Sequence, residues 1–352
     1  SPDAPANPDL KWEETSQLNI GFESRFLNGF SLEVDWYKKE TTDILLYPRI
    51  PAFAGVIGNP ARNVGNMENT GVEVNFGYSM NRDDYGFTVN ANASYLNNEV
   101  TYLGDGQEYL DGGIAFQSST FPITRTAVGQ AVNSFYGFKT LGVFQTQEEI
   151  NNYTNANGDL IQPNAVPGDF RWQDTDGSGS IGEEDRVFIG DPTPDWSYGI
   201  TLSGYYKNFD FTIFGQGVAG NQIFQGLRRL DIANANYPAK AMERWTGPGT
   251  SDSYPRMTND DPNNNYSNPS DFYLEDGDYF RIKTAQIGYS LPESVLSTAG
   301  LEKVRIYVMS ENLLTFTKYT GFDPEIGGGV MSIDRGIYPQ ARSFMLGASL
   351  GF

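Results

Sequence analysis

The sequence contains neither cysteine nor histidine among its 352 residues. Zinc sites built from these two residue types are therefore excluded. Ser-His-Asp and Cys-His catalytic systems are excluded as well, since no side chain can act as the imidazole or the thiolate. Paired carboxylates remain chemically possible, but no local spacing among the 44 acidic residues singles out a pair. We therefore predict that the chain is not an enzyme.

Basic residues are scarce too, with 24 lysines and arginines against 44 acidic residues and a formal net charge of −20. Because nucleic acid binds to a basic surface, this balance argues against a nucleic-acid partner. Long apolar runs are missing, and no stretch of about 18 apolar residues could form a transmembrane helix. Residues 1–10 lack the pattern of a signal peptide.

One acidic segment, DTDGSGSIGEED at residues 174–185, resembles the calcium-binding loop of an EF-hand. Gly179 would allow the tight turn that wraps the chain around a cation. Asp185, or the neighbouring Glu184, stands where such loops usually have a bidentate Glu, so we expect a weaker site than in the best sensors. The alternative is a surface turn whose carboxylates bond only their own backbone. The predicted ligands of this structural calcium are Asp174, Asp176, Ser178, the backbone carbonyl of Ser180, and Asp185.

Alternation of apolar and polar residues dominates the rest of the chain and predicts β-strands. FSLEVDW at residues 30–36 is typical, and Asn28-Gly29 before it predicts a hairpin turn. In YFRIKTAQIGYS the alternation changes phase between Ile282 and Ala285, which predicts a β-bulge. The chain is therefore predicted to be all-β.

Two architectures fit such strands: a soluble β-sandwich, whose apolar face meets another sheet, and a transmembrane antiparallel β-barrel, whose apolar face meets lipid. Predicted strands of about ten or more residues that begin or end in aromatic residues favour the barrel. The connections alternate between short turns and long polar segments, as periplasmic turns and extracellular loops do. We therefore predict a barrel with short turns at residues 27–29, 81–86, 207–208 and 292–301.

Strand direction sets a condition on the number of strands. The strand ending near Asn98 and the strand starting at Asp195 run in opposite directions, so an even number must lie between them. We place two there, ITRTAVG and SFYGFKTLGVF, with a turn near residues 130–133. The total is then about eleven, whereas bacterial single-chain barrels have even numbers. The chain is therefore expected to be about half of a larger barrel, paired edge to edge with an N-terminal half.

Several stretches spread over the whole chain carry a family resemblance. They are NPDLKWEETSQLNIGFE (7–23), NVGNMENTGVEVNFGY (63–78), SFYGFKTLGVFQTQEEI (134–150), PGDFRWQDTDGSGSIGEEDRVFIGDPTPDWSYGI (167–200), EDGDYFRIKTAQIGYSLP (275–292), MSENLLTFTKYTGFDPEI (309–326) and YPQARSFMLGASLGF (338–352). Together and in this order they resemble the C-terminal part of SusC/RagA-type TonB-dependent transporters of the Bacteroidetes outer membrane.

The resemblance implies a multi-pass outer-membrane barrel of roughly 22 strands, filled by an N-terminal plug and energised by the TonB-ExbB-ExbD complex. It also implies a SusD-like surface lipoprotein as partner and the import of oligosaccharides or oligopeptides. We find no plug-like or TonB-contacting segment, so residues 1–352 are expected to form the C-terminal part of the barrel. Residues 145–194 would form an extracellular loop around the calcium motif.

The long polar segment at residues 219–277 holds the candidates for ligand contact. Aromatic rings can stack on sugars and arginine can bind carboxylates, so the candidates are Arg228, Arg229, Tyr237 and Trp245. The alternative is that they pack the loop on itself or on a partner protein. Two other functions stay open: a calcium-stabilised soluble β-rich adhesin or glycan-binding module, and a carboxylate-based hydrolase.

Overall fold

The computed structural model describes residues 6–47, 58–104, 106–115, 121–228, 235–258, 260–299, 301–326 and 332–351. These residues form 18 strands and two short α-helices. The strands are β1 (Glu14–Phe26), β2 (Phe30–Leu46), β3 (Arg62–Asn81), β4 (Tyr85–Tyr102), β5 (Tyr109–Ala115), β6 (Pro122–Ala127), β7 (Ser134–Gly137), β8 (Thr140–Val143), β9 (Phe170–Trp172), β10 (Val187–Gly190), β11 (Trp196–Tyr206), β12 (Phe209–Ala219), β13 (Gln222–Gln225), β14 (Leu274–Asp276), β15 (Tyr279–Ser290), β16 (Lys303–Thr317), β17 (Ile333–Asp334) and β18 (Ser343–Gly351). The helices are α1 (Gln147–Asn152) and α2 (Glu293–Ala299).

Nine of these strands form one sheet, which we call the wall. Its order is β1-β2-β3-β4-β11-β12-β15-β16-β18. Every neighbouring pair is antiparallel. The strands run from 9 residues in β18 to 20 in β3, so each is long enough for a tilted strand to cross a bilayer. No helix in the described part of the chain combines the length and the apolar content that a membrane crossing needs.

The two faces of the wall differ in polarity because side chains alternate along each strand. One face is polar, as a single register row across seven strands illustrates: Glu33, Asn75, Asn92, Gly199, Gln216, Arg281 and Thr315. The opposite face is apolar and exposed, and it includes Leu18, Ile20, Phe22, Ile213, Ile287, Val308, Phe344 and Leu346. A sheet with this polarity needs an apolar medium on one side and a polar one on the other.

Connections of different length lie at the two ends of the wall, as the sequence predicts. At one end the turns are short. Leu27 and Asn28 take positive φ values of 45° and 46° between β1 and β2, and Lys207 takes 52° between β11 and β12. The longest connection at this end, residues 291–302, contains α2. At the other end the connections span residues 47–61, 103–195, 220–278 and 318–342.

The predicted β-bulge in β15 is confirmed. The pairing of β15 with both of its neighbours shifts between Ile282 and Thr284, and against β12 this shift leaves Lys283 as the extra residue. Arg281 and Ile287 are an even number of residues apart, so a regular strand would place both side chains on the polar face. The bulge therefore allows β15 to present cations on the polar face and aliphatic residues on the apolar face.

The prediction of about eleven wall strands is wrong, because the wall has nine strands in the part of the chain that the structure describes. β4 pairs directly with β11 from Tyr95↔Trp196 to Tyr85↔Tyr206. No wall strand therefore lies between them, and the condition of an even number is met by zero. The predicted hairpin exists as β6 and β7, but these have only 6 and 4 residues. Such strands are too short to cross a bilayer, and they join β5 and β10 in a separate sheet beyond the end of β4.

We call the described residues of segments 103–195, 220–278 and 318–342 the loop layer. It carries its own hydrophobic cores, as a soluble domain does. One core consists of Ile123, Phe135, Phe224, Tyr273 and Ile333, and another of Phe138, Val143, Phe170 and Trp172. Backbone hydrogen bonds between Val100 of β4 and the Gly129–Gln130 turn attach this layer to the wall.

Candidate functional site

The calcium motif forms a closed loop between the short strands β9 and β10. The chain enters from the buried strand β9 and leaves through a short 3-10 helix at Glu183–Asp185. One carboxylate oxygen each of Asp174, Asp176 and Asp185 lies within 4.8 Å of the others. The fold thus brings together the three predicted carboxylate ligands, at spacings from which one small cation could contact all of them.

The backbone of the loop supports the same arrangement. Gly179 takes a φ of 85°, a region that favours glycine, and its N–H donates to Asp174 Oδ2 at 2.9 Å. The hydroxyl of Ser178 donates to the carbonyl oxygen of Ser180 at 3.0 Å, so these two predicted oxygen ligands are neighbours. The Ser178 N–H donates to Asp176 Oδ1 at 2.8 Å and lowers the pKa of that carboxyl.

Asp185, and not Glu184, occupies the closing position of the loop. Asp185 is only 1% exposed, whereas Glu184 is exposed. The Asp185 carboxylate accepts hydrogen bonds from the N–H groups of Thr175 at 2.6 Å and Gly182 at 2.7 Å. In contrast, Asp174 Oδ1 is buried and has no hydrogen-bond partner among the described residues. A buried carboxylate oxygen without a partner suits a position beside a cation, so the donor set fits a divalent ion with oxygen ligands.

The loop is anchored to the core of the loop layer. The hydroxyl of Tyr153, just after α1, donates to the Trp172 carbonyl at 2.7 Å and accepts from the Asp174 N–H at 3.4 Å. Burial raises the pKa of Tyr153, which keeps this hydroxyl protonated. Ile181, inside the motif, packs against the core cluster that contains Trp172. The carboxylates are therefore held by a rigid base.

The candidate ligand-binding residues lie in different surroundings. The Arg228 guanidinium stacks over the ring of Tyr237 at 3.8 Å and lies 5.2 Å from the ring centre of Tyr266. Arg228 lines a cavity of about 490 Å³ in the loop layer, together with Lys240, Tyr254 and other residues. We call it the upper cavity. Arg229 lies outside the described residues.

Trp245 packs inside the loop layer. Its ring lies against the core cluster of Phe138, Val143, Phe170 and Trp172, and its Nε1–H donates to Gln145 Oε1 at 3.2 Å. Its backbone N–H donates to the Tyr254 carbonyl at 2.9 Å. These contacts match the packing alternative, and contact between Trp245 and a ligand stays a prediction.

One charged arrangement on the polar face could not be predicted from the sequence. Arg281 on β15, only 3% exposed, donates to Asp323 at 2.5 Å and to Glu325 at 2.6 Å, and Lys283 donates to Glu325 at 2.8 Å. These pairs attach the segment FDPEI at residues 322–326 to the wall. The alternating charges of Arg281 and Lys283 are visible in the sequence, but their partners lie about forty residues further along the chain.

Residues 2–313 match the family described as TonB dependent receptor-like, beta-barrel. The TonB-dependent receptor P3 of Formosa agariphila is 35% identical to this chain over 363 residues, which cover 99% of the chain and 35% of that relative. The TonB-dependent receptor SusC of Bacteroides thetaiotaomicron is 27% identical over 98% of the chain and 32% of its own length. The chain therefore spans about a third of the length of these relatives.

A solved structure of the RagAB peptide importer in its open-open state superimposes on 98% of this chain with a TM-score of 0.76 and 25% identity. The chain covers 35% of that structure. The family match and this similarity agree with the wall, whose exposed face is apolar and whose long connections lie at one end. The chain accordingly belongs to the TonB-dependent receptor β-barrel family, in its SusC/RagA branch, and is part of a barrel of the bacterial outer membrane.

Proposed function

We propose that this chain forms the C-terminal part of the barrel of a TonB-dependent importer that carries oligosaccharides or oligopeptides across the outer membrane. The observation that supports it is the wall, whose apolar face suits lipid and whose polar face suits a water-filled lumen. Its relatives are named as TonB-dependent receptors, and a solved structure with the same fold is that of a peptide importer. The exposed apolar face argues against a soluble adhesin or hydrolase.

Three further partners follow from this proposal. The edge strands β1 and β18 each have one wall neighbour among the described residues, and unpaired backbone in lipid is costly. We expect them to pair with strands from an N-terminal part of the same protein. A SusD-like surface lipoprotein would cover the loop layer, and the TonB-ExbB-ExbD complex would act through segments outside this chain.

Uptake in cells tests the import function. Cells that carry the full-length protein should accumulate a labelled oligosaccharide or oligopeptide, and cells that lack its gene should not. Accumulation should also stop when TonB is deleted or the proton gradient is collapsed. Uptake that continues without TonB would contradict energised import and would favour passive diffusion through the barrel.

The same proposal includes a structural calcium ion held by Asp174, Asp176, Ser178, the Ser180 carbonyl and Asp185. Its support is the convergence of three carboxylates and the buried Asp174 oxygen without a partner among the described residues. Isothermal titration with calcium chloride should show one site per chain. The double substitution Asp174→Asn and Asp176→Asn should abolish this site, whereas Glu148→Gln on α1 should not. Unchanged calcium binding in the double variant would rule out these ligands.

For the ligand we propose the upper cavity beside Arg228 and Tyr237, with Trp245 holding its surroundings in place. The pair offers a cation and a half-exposed ring, which suits a polar ligand that carries carboxylate or ring groups. Replacing Arg228 by Gln should weaken binding of the transported oligomer by about tenfold. Replacement of Lys207, in a short turn at the opposite end of the wall, should have no effect. Fluorescence anisotropy with a labelled oligomer measures both.

A further inference from the structure

A second cavity, which we call the lower cavity, lies between the polar face of the wall and the loop layer. Its volume is about 560 Å³. The wall contributes residues of the polar face, including Leu96 of β4, Val218 of β12 and Tyr279 of β15. The loop layer contributes Pro192, Pro194 and the FDPEI segment. The lower cavity therefore opens towards the lumen of the proposed barrel.

Apolar side chains and proline rings form most of the lining, which is unusual for a surface facing a watery lumen. The ionisable side chains among the described lining residues are Tyr279 and Glu325. Glu325 is already neutralised, because Arg281 donates to it at 2.6 Å and Lys283 at 2.8 Å. A charged ligand group entering here would lose water without gaining a counter-charge, which is unfavourable.

Among the described lining residues, one buried side-chain polar atom has no hydrogen-bond partner. Asn221 is only 7% exposed, and its Oδ1 has no hydrogen-bond partner in the described part of the chain. The neighbouring Asn98 differs, since it accepts from the Val132 N–H at 2.9 Å and donates to Asn69 at 2.7 Å. A buried amide oxygen without a partner is costly, so a ligand donor that reached Asn221 would recover a hydrogen bond.

We propose that the lower cavity is a subsite for peptides with uncharged, apolar side chains. Such a side chain would lie against Leu96 and Val218, and a peptide N–H would donate to Asn221 after a small turn of its side chain. An oligosaccharide fits less well, because Tyr279 supplies the one aromatic ring among the described lining residues and sugars rely on ring stacking. The inference rests on the proposed import function and narrows its cargo to apolar oligopeptides.

The cavity lies next to the upper one along the chain. Asn221, immediately before β13, lines the lower cavity, and Gln225 at the end of β13 lines the upper cavity. β13 is thus a direct connection between the two cavities. A peptide that enters through the loop layer would pass from a cavity lined by Arg228, Lys240, Glu243 and Glu275 to one in which Glu325, the single charged residue of the described lining, is already paired.

Binding to the full-length complex in detergent tests the subsite. The probes are fluorescein-labelled peptides of equal length, Ala-Leu-Ala-Leu-Ala, Ala-Asp-Ala-Asp-Ala and Ala-Lys-Ala-Lys-Ala, with maltohexaose as competitor. The leucine peptide should bind at least about tenfold more tightly than the charged ones. Val218→Asp should weaken its binding by about tenfold or more, and Asn221→Leu by several-fold. The matched control Thr201→Asp adds a carboxylate to the same wall face outside the cavity, and it should change affinity less than about twofold.

Heat-modifiable mobility on a gel verifies that each variant still forms the barrel. Equal affinity for the three peptides, efficient competition by maltohexaose, or full leucine-peptide binding in both Val218→Asp and Asn221→Leu would overturn the subsite. TonB-dependent uptake of maltohexaose in the same cells would then leave the import function standing. Absence of TonB-dependent uptake of every probe would instead contradict the proposed function itself.

Discussion

The wall and the loop layer place the same apolar residue types in opposite positions. Phe344 on β18 is 72% exposed, whereas Phe224 on β13 is fully buried at 0%. The wall has no closed hydrophobic core among the described residues. Most of its large apolar side chains lie on the exposed face, which suits lipid, and its strands are joined by backbone hydrogen bonds. The loop layer is stabilised as a soluble domain is, by cores closed against water. Apolar side chains therefore avoid water in both regions, on a face suited to lipid in the wall and in closed cores in the loop layer.

Buried polar networks show the same difference. In the loop layer, Asp169 is completely buried and accepts from Arg256 at 2.6 Å and from Asn265 at 2.8 Å. A partly satisfied network of this kind would be costly, so the loop layer depends on many specific contacts. Apart from Arg281 and its partners, the wall should instead tolerate polar changes on its lumen face and apolar changes on its lipid face.

The largest expected effect is the difference in stability loss between alanine substitutions at Phe224 and at Phe344. Phe224→Ala should destabilise the loop layer by about 3–5 kcal/mol, because it leaves a cavity in a packed core. Phe344→Ala should cost less than about 1 kcal/mol, because lipid chains fill the space. Hydrogen exchange resolved by region measures both changes. Similar losses of protection at the two sites would contradict the distinction between the two regions.

The next prediction concerns an arginine introduced on either face of the wall. Ile213→Arg places a charge on the lipid face and should destabilise the barrel by about 2–4 kcal/mol if it lies near the bilayer centre. Thr212→Arg, its neighbour on the lumen face, should cost less than about 1 kcal/mol. Unfolding by guanidinium in lipid vesicles compares the two. A larger loss for Thr212→Arg would mean that the faces are assigned the wrong way round.

Calcium should stabilise the loop layer and leave the wall unchanged. With free calcium at a hundred times its dissociation constant, the loop around residues 174–185 should gain about 2.7 kcal/mol. Removing calcium with a chelator should therefore speed proteolysis within segment 145–194, while the gel mobility of the folded barrel stays the same. Equal proteolysis with and without calcium would contradict a stabilising ion.

The smallest expected effect is a pH dependence confined to the loop layer. Burial raises the pKa of Asp271, whose carboxylate accepts from the Thr140 N–H at 3.1 Å. A carboxyl with a raised folded-state pKa destabilises the fold while it is ionised, and this penalty disappears as the pH falls through the folded value towards the unfolded one. Loop-layer protection should therefore rise on mild acidification in the native protein. Asp271→Asn should show a smaller rise, and an unchanged rise would assign the effect to other groups.

Much of the wall could be predicted because its information is local. Alternation along each strand assigns side chains to faces, the difference between short and long connections orients the strands, and the phase change after Ile282 marks the bulge at Lys283. The calcium motif is also local, since all its predicted ligands lie within residues 174–185. The choice between Asp185 and Glu184 as closing residue depends on the fold, which buries Asp185 and leaves Glu184 exposed.

Only the tertiary structure decided which strands belong to the wall and which contacts fill the loop layer. β6 and β7 have the alternation of strands, but β4 and β11 pair along their full common length and leave no place between them. Strand pairing depends on the free energy of the complete sheet, so it cannot be predicted from any single segment. The attachment of Asp323 to Arg281 and the packing of Trp245 have the same origin. Alternation tells which way a side chain points, but the partner that meets it comes from a distant part of the chain.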